Sequence, residues 1–321
     1  MATTQSDNNF RQLPPGTKLL DHQVAGHLVN QKNNVIPFLQ TKDKTLLKLI
    51  QLPPRGRREL NFYQTVFDEK AESDPILRRL KDFLPYFYGT CKFDIFPDEL
   101  YLHLEDMTVE FEKASIADIK IGSQTYDPEA SAEKIQYEKI KNQFSTEVGF
   151  KMGFRVYRPS TDTFHFPCRK KLLQLDQFRI LEEGIGEYFN LSESLRKDAV
   201  FAILLELIDI KNWFENQRKF AFYSSSLLCI YEGLWPCKQH LAAVSQLPPS
   251  NHSIVNKNNG DCRAMTNIED LLQSSYGKRD SCVKVKMIDF SHVYATCERD
   301  NNYLIGLDSL INYLKRLLTE L

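Results

Sequence analysis

The chain has no apolar run long enough to cross a bilayer. The longest, Ala199–Leu205, falls far short of the roughly 20 residues a membrane helix needs. Its opening, MATTQSDNNFRQ, is polar and holds no signal-peptide core. It has no C-x-x-C pair: seven cysteines stand scattered at 91, 168, 229, 237, 262, 282 and 297. That odd, dispersed set argues against a disulfide framework or a zinc site, and for a reducing compartment. No sign of charge dominates, with 41 Lys and Arg against 42 Asp and Glu, a net charge of −1. A general nucleic-acid binder is thereby excluded, and any anion site must be a local basic patch. Walker, dinucleotide-binding, metalloprotease and serine-hydrolase motifs are all missing. These absences point to a soluble cytoplasmic or nuclear protein, not a secreted one.

What is present is a 42% hydrophobic chain of 321 residues, enough for one large domain or two lobes. Residues 1–17 read as a loose tail. Strand-like segments follow near 24–29, 35–39 and 45–50, and a helix over Arg57–Phe67 has Leu60, Tyr63 and Phe67 on one side. Leu100–Leu104 alternates as a strand, Ser131–Gln143 reads as a charged helix, and Leu195–Gln217 as the longest helix. Phe220–Tyr231 is predicted to be one strand. Residues 235–281 lose periodicity and read as a mostly mobile surface insertion with a short helix at Ile268–Ser274. Val283–Phe290 reads as a strand and Tyr303–Leu318 as an amphipathic helix. Strands early and helices late predict an α+β protein, with a sheet-rich N-lobe and a helix-rich C-lobe.

Four strand residues stand out chemically. In Ala114-Ser-Ile-Ala-Asp118-Ile-Lys120-Ile-Gly122, alternation puts Asp118 and Lys120 on one face, and Ala117, Ile119 and Ile121 on the core face. The pair suits proton and phosphate chemistry, or a structural ion pair on a half-buried strand. Lys48, inside the apolar Thr45–Ile50, needs an anion, because an unpaired buried ammonium costs several kcal/mol. Glu59 or a nucleotide phosphate would serve, as in protein kinases; the plainer reading is a lysine reaching back to water. Asp289 ends the strand Lys286-Met287-Ile288-Asp289 and offers Mg²⁺ a hard oxygen, or merely caps the next turn. His292, three residues on, could touch phosphate. Basic residues cluster at Arg55, Arg57 and Arg58, and at Lys134, Lys139 and Lys141. Lys134 and Lys141 share a helix face two turns apart and could hold two phosphates of one small ligand, or simply face solvent.

With these residues in place, the chain resembles the inositol polyphosphate kinases, and within them the multikinase branch. The signature P-x-x-x-D-x-K-x-G stands here as Ala114 through Gly122, with Ala114 in place of proline. Similar segments are His22-Gln-Val-Ala-Gly-His27, Leu52-Pro-Pro-Arg55 through Leu60, Asp127 through Ile135, Gly153-Phe-Arg-Val-Tyr157, Ser225 through Gly233, Met287 through His292, and Tyr303 through Leu307. The resemblance runs from about residue 19 to the C-terminus, the 235–281 insertion excepted.

The resemblance implies a two-lobed inositol polyphosphate kinase fold. Residues 18–107 form the nucleotide-binding N-lobe and hinge, and 108–321 the larger C-lobe with the inositol phosphate site. It implies ATP and Mg²⁺ as cofactors. Lys48, held by Glu59, would contact the ATP phosphates, and the backbone of Glu105, Asp106 and Met107 would read the adenine edge. Asp118 would serve the ribose or the reacting hydroxyl. Lys120 would touch both that hydroxyl and the transferring phosphoryl group, and Asp289 would hold the metal. Arg55, Lys134, Lys141 and His292 would grip the substrate. The implied substrates are inositol tris- and tetrakisphosphates. A phosphoinositide headgroup at a membrane surface, phosphatidylinositol 4,5-bisphosphate, is a further candidate. The implied protein is a monomer with no nucleic-acid partner. The alternatives are a hexakisphosphate kinase that makes pyrophosphates, and a non-catalytic scaffold on the same fold. Tyr137 and Glu138 depart from the multikinase glutamines at those positions. Glu138 beside a polyanion is unfavourable unless it faces a hydroxyl or solvent.

Overall fold

The computed structural model describes residues 12–22, 24, 38–247 and 267–321. Two five-stranded sheets organise it, both antiparallel throughout. The first is built from β1 (Thr17–Leu19), β2 (Phe38–Thr41), β3 (Thr45–Leu49), β4 (Phe87–Phe93) and β5 (Phe96–Glu105), in the order β1-β2-β3-β5-β4. The second holds β6 (Ala114–Ile121), β7 (Phe150–Arg158), β8 (Thr163–His165), β10 (Ser226–Glu232) and β11 (Val283–Ile288), ordered β11-β10-β6-β7-β8. A separate ribbon pairs β9 (Phe220–Phe222) with β12 (Val293–Ala295). The helices are α1 (Arg55–Phe67), α2 (Pro75–Lys81), α3 (Ala132–Lys141), α4 (Gln143–Val148), α5 (Arg169–Leu172), α6 (Lys197–Asn216), α7 (Leu241–Val244), α8 (Ile268–Ser275) and α9 (Asn301–Glu320). None of the helices among the described residues is long and apolar enough to cross a membrane.

The period of two in β6 decides which face is dry. Ala117, Ile119 and Ile121 are buried in the main core with α6 and α9, as expected. Asp118 and Lys120 therefore emerge together on the opposite face. In β3 the same rule sends Leu47 into a small core with Leu39 and Tyr101, and turns Leu46 and Lys48 the other way. Gly122 ends β6 at φ +100°, and a Cβ there would fall 2.4 Å from Asn302 Nδ2, so only glycine fits.

Several expectations need correcting. The tail expected over 1–17 does not reach residue 17: Thr17 pairs with Thr41 in β1 and Leu13 packs on the small core, while residues 1–11 lie outside the described residues. The segment 24–29 lies outside the described residues apart from Val24, and the strand expected at 35–39 is described only from Phe38. Helix α1 starts at Arg55 and buries Glu59, Phe62, Tyr63 and Val66, with Leu60 and Phe67 only packed against the core's edge. Its face is rotated by aromatic neighbours: the Phe62 ring lies 4.3 Å from Phe290 and 5.8 Å from Phe222. Helix α9 is as long as α6, at 20 residues each. Phe220–Tyr231 is not one strand. It breaks at Ser224, where φ is +54°, and its halves join different sheets. The insertion 235–281 is packed at both described ends: Cys237, Leu247, Leu271 and Leu272 are buried in the main core. A turn with low periodicity can still bury its few apolar residues, which pattern reading misses. Helix α8 stands where a short helix was expected.

Candidate active site

A cleft of about 1180 Å³ takes its walls from both sheets. Its lining includes Lys48, Arg55, Asp118, Lys120, Lys134, Asp289 and His292, together with Glu105, Asp106 and Met107. Two predicted residues are missing from it: Glu59, buried behind Lys48 at 1% exposure, and Lys141. Lys141 projects elsewhere, 3.7 Å from Glu138 Oε1 and over the Tyr137 ring. Seven residues span nearly two turns, but α3 ends at Lys141, and of its last turn Glu138 lines the cleft while Lys141 does not.

The centre of the cleft is a buried ionic group. Lys48 Nζ donates to Glu59 Oε1 at 2.7 Å and to Asp289 Oδ1 at 2.6 Å. Glu59 is 1% exposed, and its carboxylate also accepts from Phe290 N–H at 3.2 Å and Ser291 Oγ at 3.4 Å. Burial by itself would lower the Lys48 pKa, but the Asp289 and Glu59 charges override it and raise it. Asp289 is placed by a turn immediately after β11, with φ at +64°. An aspartate tolerates that left-handed conformation, at a strain typical of functional sites.

Asp118 and Lys120 do not pair with each other. Lys120 Nζ instead donates to the Ser224 carbonyl, so the kink that splits the predicted strand supplies its acceptor. Burial raises the Asp118 pKa, the facing Asp289 raises it further, and Lys120 partly offsets both. Two carboxylates that disfavour one another's charge form a hard-oxygen pair that a divalent cation would relieve, so the donor set suits Mg²⁺.

The strand register grades the floor of the cleft. Across the row through Ile116 lie Ile230 and Arg155; across the row through Asp118 lie Leu228 and Gly153; across the row through Lys120 lie Ser226 and Lys151. Of the first row only Ile116 lines the cleft, Arg155 opening on a separate hollow, and with Leu228, Leu46, Leu104 and Met107 it makes that end apolar. The 105–107 backbone borders that end. The Glu105 N–H is already donated to Tyr86 O at 2.9 Å, which removes it from the set expected to read a base. Asp106 turns its carboxylate to Thr108 N–H at 2.9 Å and Gln40 Nε2 at 2.5 Å. Burial opposes its ionisation, but hydrogen bonds from His22, Thr108 and Gln40 prevail and hold its pKa down to about 2. Asp106 therefore fastens the strand exit.

The other end is basic. Lys134 stands 4.0 Å from Asp127 Oδ2, and His292 Nδ1 contacts the same oxygen. Burial lowers the His292 pKa in spite of Asp127. Lys151 and Arg169 join the lining, although sequence reading singled out neither. Alternation of Phe150, Lys151 and Met152 signals a strand lysine, but only the register shows that it lies opposite Lys120. Glu138 lines the cleft as well, accepting from Thr125 Oγ1 at 2.9 Å and Asn142 Nδ2 at 2.7 Å. Those hydrogen bonds outweigh burial and lower its pKa.

Residues 101–315 match the family model for inositol polyphosphate kinase. The inositol polyphosphate multikinase of Rattus norvegicus is 42% identical over 215 residues, covering 67% of this chain and 53% of that protein. The chain thus spans about half the length of the mammalian multikinases it matches. Inositol polyphosphate multikinase alpha of Arabidopsis thaliana is 31% identical over 317 residues, covering 94% of this chain and 96% of that one. Inositol hexakisphosphate kinase 1 of Rattus norvegicus is 28% identical over 242 residues, covering 68% and 52%. A solved inositol phosphate multikinase superposes with a TM-score of 0.56 at 27% identity, covering 81% of this chain and 99% of that one. A Saccharomyces cerevisiae multikinase, Ipk2, in complex with ADP and Mn²⁺, shares the fold with a TM-score of 0.59 at 22% identity, covering 85% and 99%. The chain belongs to the inositol polyphosphate kinase family.

Proposed function

We propose that the protein is an ATP- and Mg²⁺-dependent kinase that phosphorylates ring hydroxyls of inositol tris- and tetrakisphosphates. The observation that carries this reading is the Lys48–Glu59–Asp289 group, held across the cleft from Asp118 and Lys120. It matches the lysine, helix glutamate and metal-holding aspartate of kinase chemistry.

In this reading residues 18–107 supply the nucleotide side and 108–321 the inositol phosphate side. The base occupies the apolar end, between Leu46, Leu104 and Met107 on one side and Ile116 and Leu228 on the other. Lys48 meets the nucleotide phosphates, and Asp289 would hold Mg²⁺, which when bound would offset the charge of the phosphates. Lys120 leaves the Ser224 carbonyl to meet the attacking hydroxyl and the transferring phosphoryl group. Asp118 serves the ribose hydroxyls or takes the attacking hydroxyl's proton, and its raised pKa favours the second role. Arg55, Lys134 and His292 hold the ring phosphates, so that positioning and charge neutralisation supply most of the acceleration.

The test is to incubate the protein with ATP, Mg²⁺ and a panel of inositol phosphates and separate products by anion exchange. Transfer to tris- and tetrakisphosphates is expected. Transfer only to the hexakisphosphate would assign the pyrophosphate-forming alternative, and ATP binding without any transfer would assign a scaffold. The cleft also suits the headgroup of phosphatidylinositol 4,5-bisphosphate, which vesicles containing that lipid would test in the same assay.

A further inference from the structure

The least expected feature of the cleft is a second lysine on its floor. Lys151 in β7 lies directly opposite Lys120 in β6, and both line the cleft. Directly opposed residues in an antiparallel pair have Cβ atoms about 5 Å apart, where like charges destabilise the sheet. Nothing in the hydrophobic pattern demands this arrangement. It becomes favourable when an anion sits over both ammonium groups.

Lys151 is also held in place. Its Nζ donates to Asn142 Oδ1 at 2.7 Å, while Asn142 Nδ2 donates to Glu138 Oε2 at 2.7 Å and to Thr125 Oγ1 at 3.0 Å. One asparagine at the end of α3 thus satisfies the carboxylate and fixes the lysine together. Glu138 is the residue that looked unfavourable beside a polyanion, and this bridge compensates it.

We propose that Lys151 is a further substrate-holding residue, which with Lys120 grips one phosphate of the inositol substrate and so sets which phosphorylated rings the site accepts. The inference rests on the inositol phosphate kinase reading above. The charged groups around Lys151 are Lys120 on β6, Glu138 and Lys141 on α3, and Arg169 on α5. Burial, followed by Lys120, lowers its pKa to about 8, with Glu138 opposing. A bound phosphate would restore the full charge.

The experiment compares wild type with Lys151→Met, Lys151→Gln and Lys151→Arg. It measures kcat and KM for inositol tris- and tetrakisphosphates, KM for ATP, and Tm without ligand. In the Met and Gln variants KM for the inositol phosphate rises about tenfold, the scale of one charge-assisted hydrogen bond, while kcat and KM for ATP stay within twofold. Lys151→Arg restores most of the affinity, and Tm of the Met variant holds or rises because a like-charge pair is gone. An unchanged inositol phosphate KM in both neutral variants overturns the proposal. So does a loss of Tm with parallel losses for both substrates, which marks a structural lysine. Absence of transfer by the wild type is a separate result, and strikes the kinase reading itself.

Discussion

Lys48 and Lys151 face one cleft from its two sheets, and their surroundings push them in opposite directions. Lys48 sits against two carboxylates, which raise its pKa in spite of burial. Lys151 sits against another lysine and a neutral amide, and burial with the Lys120 charge lowers it to about 8. The half proposed to face the nucleotide is compensated at its charged centre: Lys48 holds both Glu59 and Asp289 before any ligand arrives. The half proposed to face the inositol phosphate carries surplus positive charge that a polyanionic ligand would neutralise. The first half should resist change in shape and fail outright when a member is lost. The second should lose affinity by degrees.

The sharpest way to break this contrast is at Asp289. Asp289→Asn removes a carboxylate from both Lys48 and the proposed metal, so kcat should fall by about a thousandfold or more, with folding retained. Wild-type turnover in that variant would show that the compensated half is not the reaction centre. Glu59→Ala comes next. It strands Lys48 with a single partner and leaves the Phe290 N–H without its acceptor in a buried site. Stability should drop by about 3 kcal/mol, read from urea unfolding. A loss below about 0.5 kcal/mol would mean that this group behaves like a surface pair.

A smaller effect tests the uncompensated half through pH. The unfolded lysine titrates near 10.5, and in the folded protein Lys151 titrates near 8. Between those values the unfolded chain binds more protons, so stability attributable to this group rises with pH. Below about pH 8 both states are charged, and the burial penalty is fully felt. The Tm advantage of Lys151→Met over wild type should therefore be larger at pH 7 than at pH 9.5. A difference that is flat across that range would place the Lys151 ammonium in solvent.

What could be read from the sequence follows the same division. Lys48, Asp118, Lys120 and Asp289 announce themselves because a charge inside an apolar, alternating run must face somewhere polar. The core face of β6 was legible for the same reason. Lys151 was not, since its meaning depends on the strand opposite, and pairing register over more than 30 residues leaves no local trace. The break at Ser224 was hidden too. Its φ of +54° opens the short run Ser224-Ser225-Ser226, whose turn signal is outweighed by aromatic and branched residues on both sides, and only the pairing of those two halves with different sheets exposes it. Packed ends of the 235–281 segment escaped because a few buried residues such as Cys237 and Leu271 make no periodic pattern.

The mildest expected effect separates spacing from geometry on α3. Lys134 and Lys141 are equivalent by periodicity, yet only Lys134 lines the cleft. Lys141 has 47% of its side chain exposed and stands beside Glu138, whose carboxylate is already held by Thr125 and Asn142. Lys134→Ala should raise KM for the inositol phosphate about tenfold and leave kcat unchanged, because it removes binding common to ground and transition states. Lys141→Ala should change KM by less than about twofold, the residue of a long-range charge in high dielectric and salt. Measured side by side, equal penalties for the two lysines would mean that the helix presents both to the substrate. The graded floor of the cleft would then extend one turn beyond Glu138, and the surplus charge of this half would be larger than the geometry assigns.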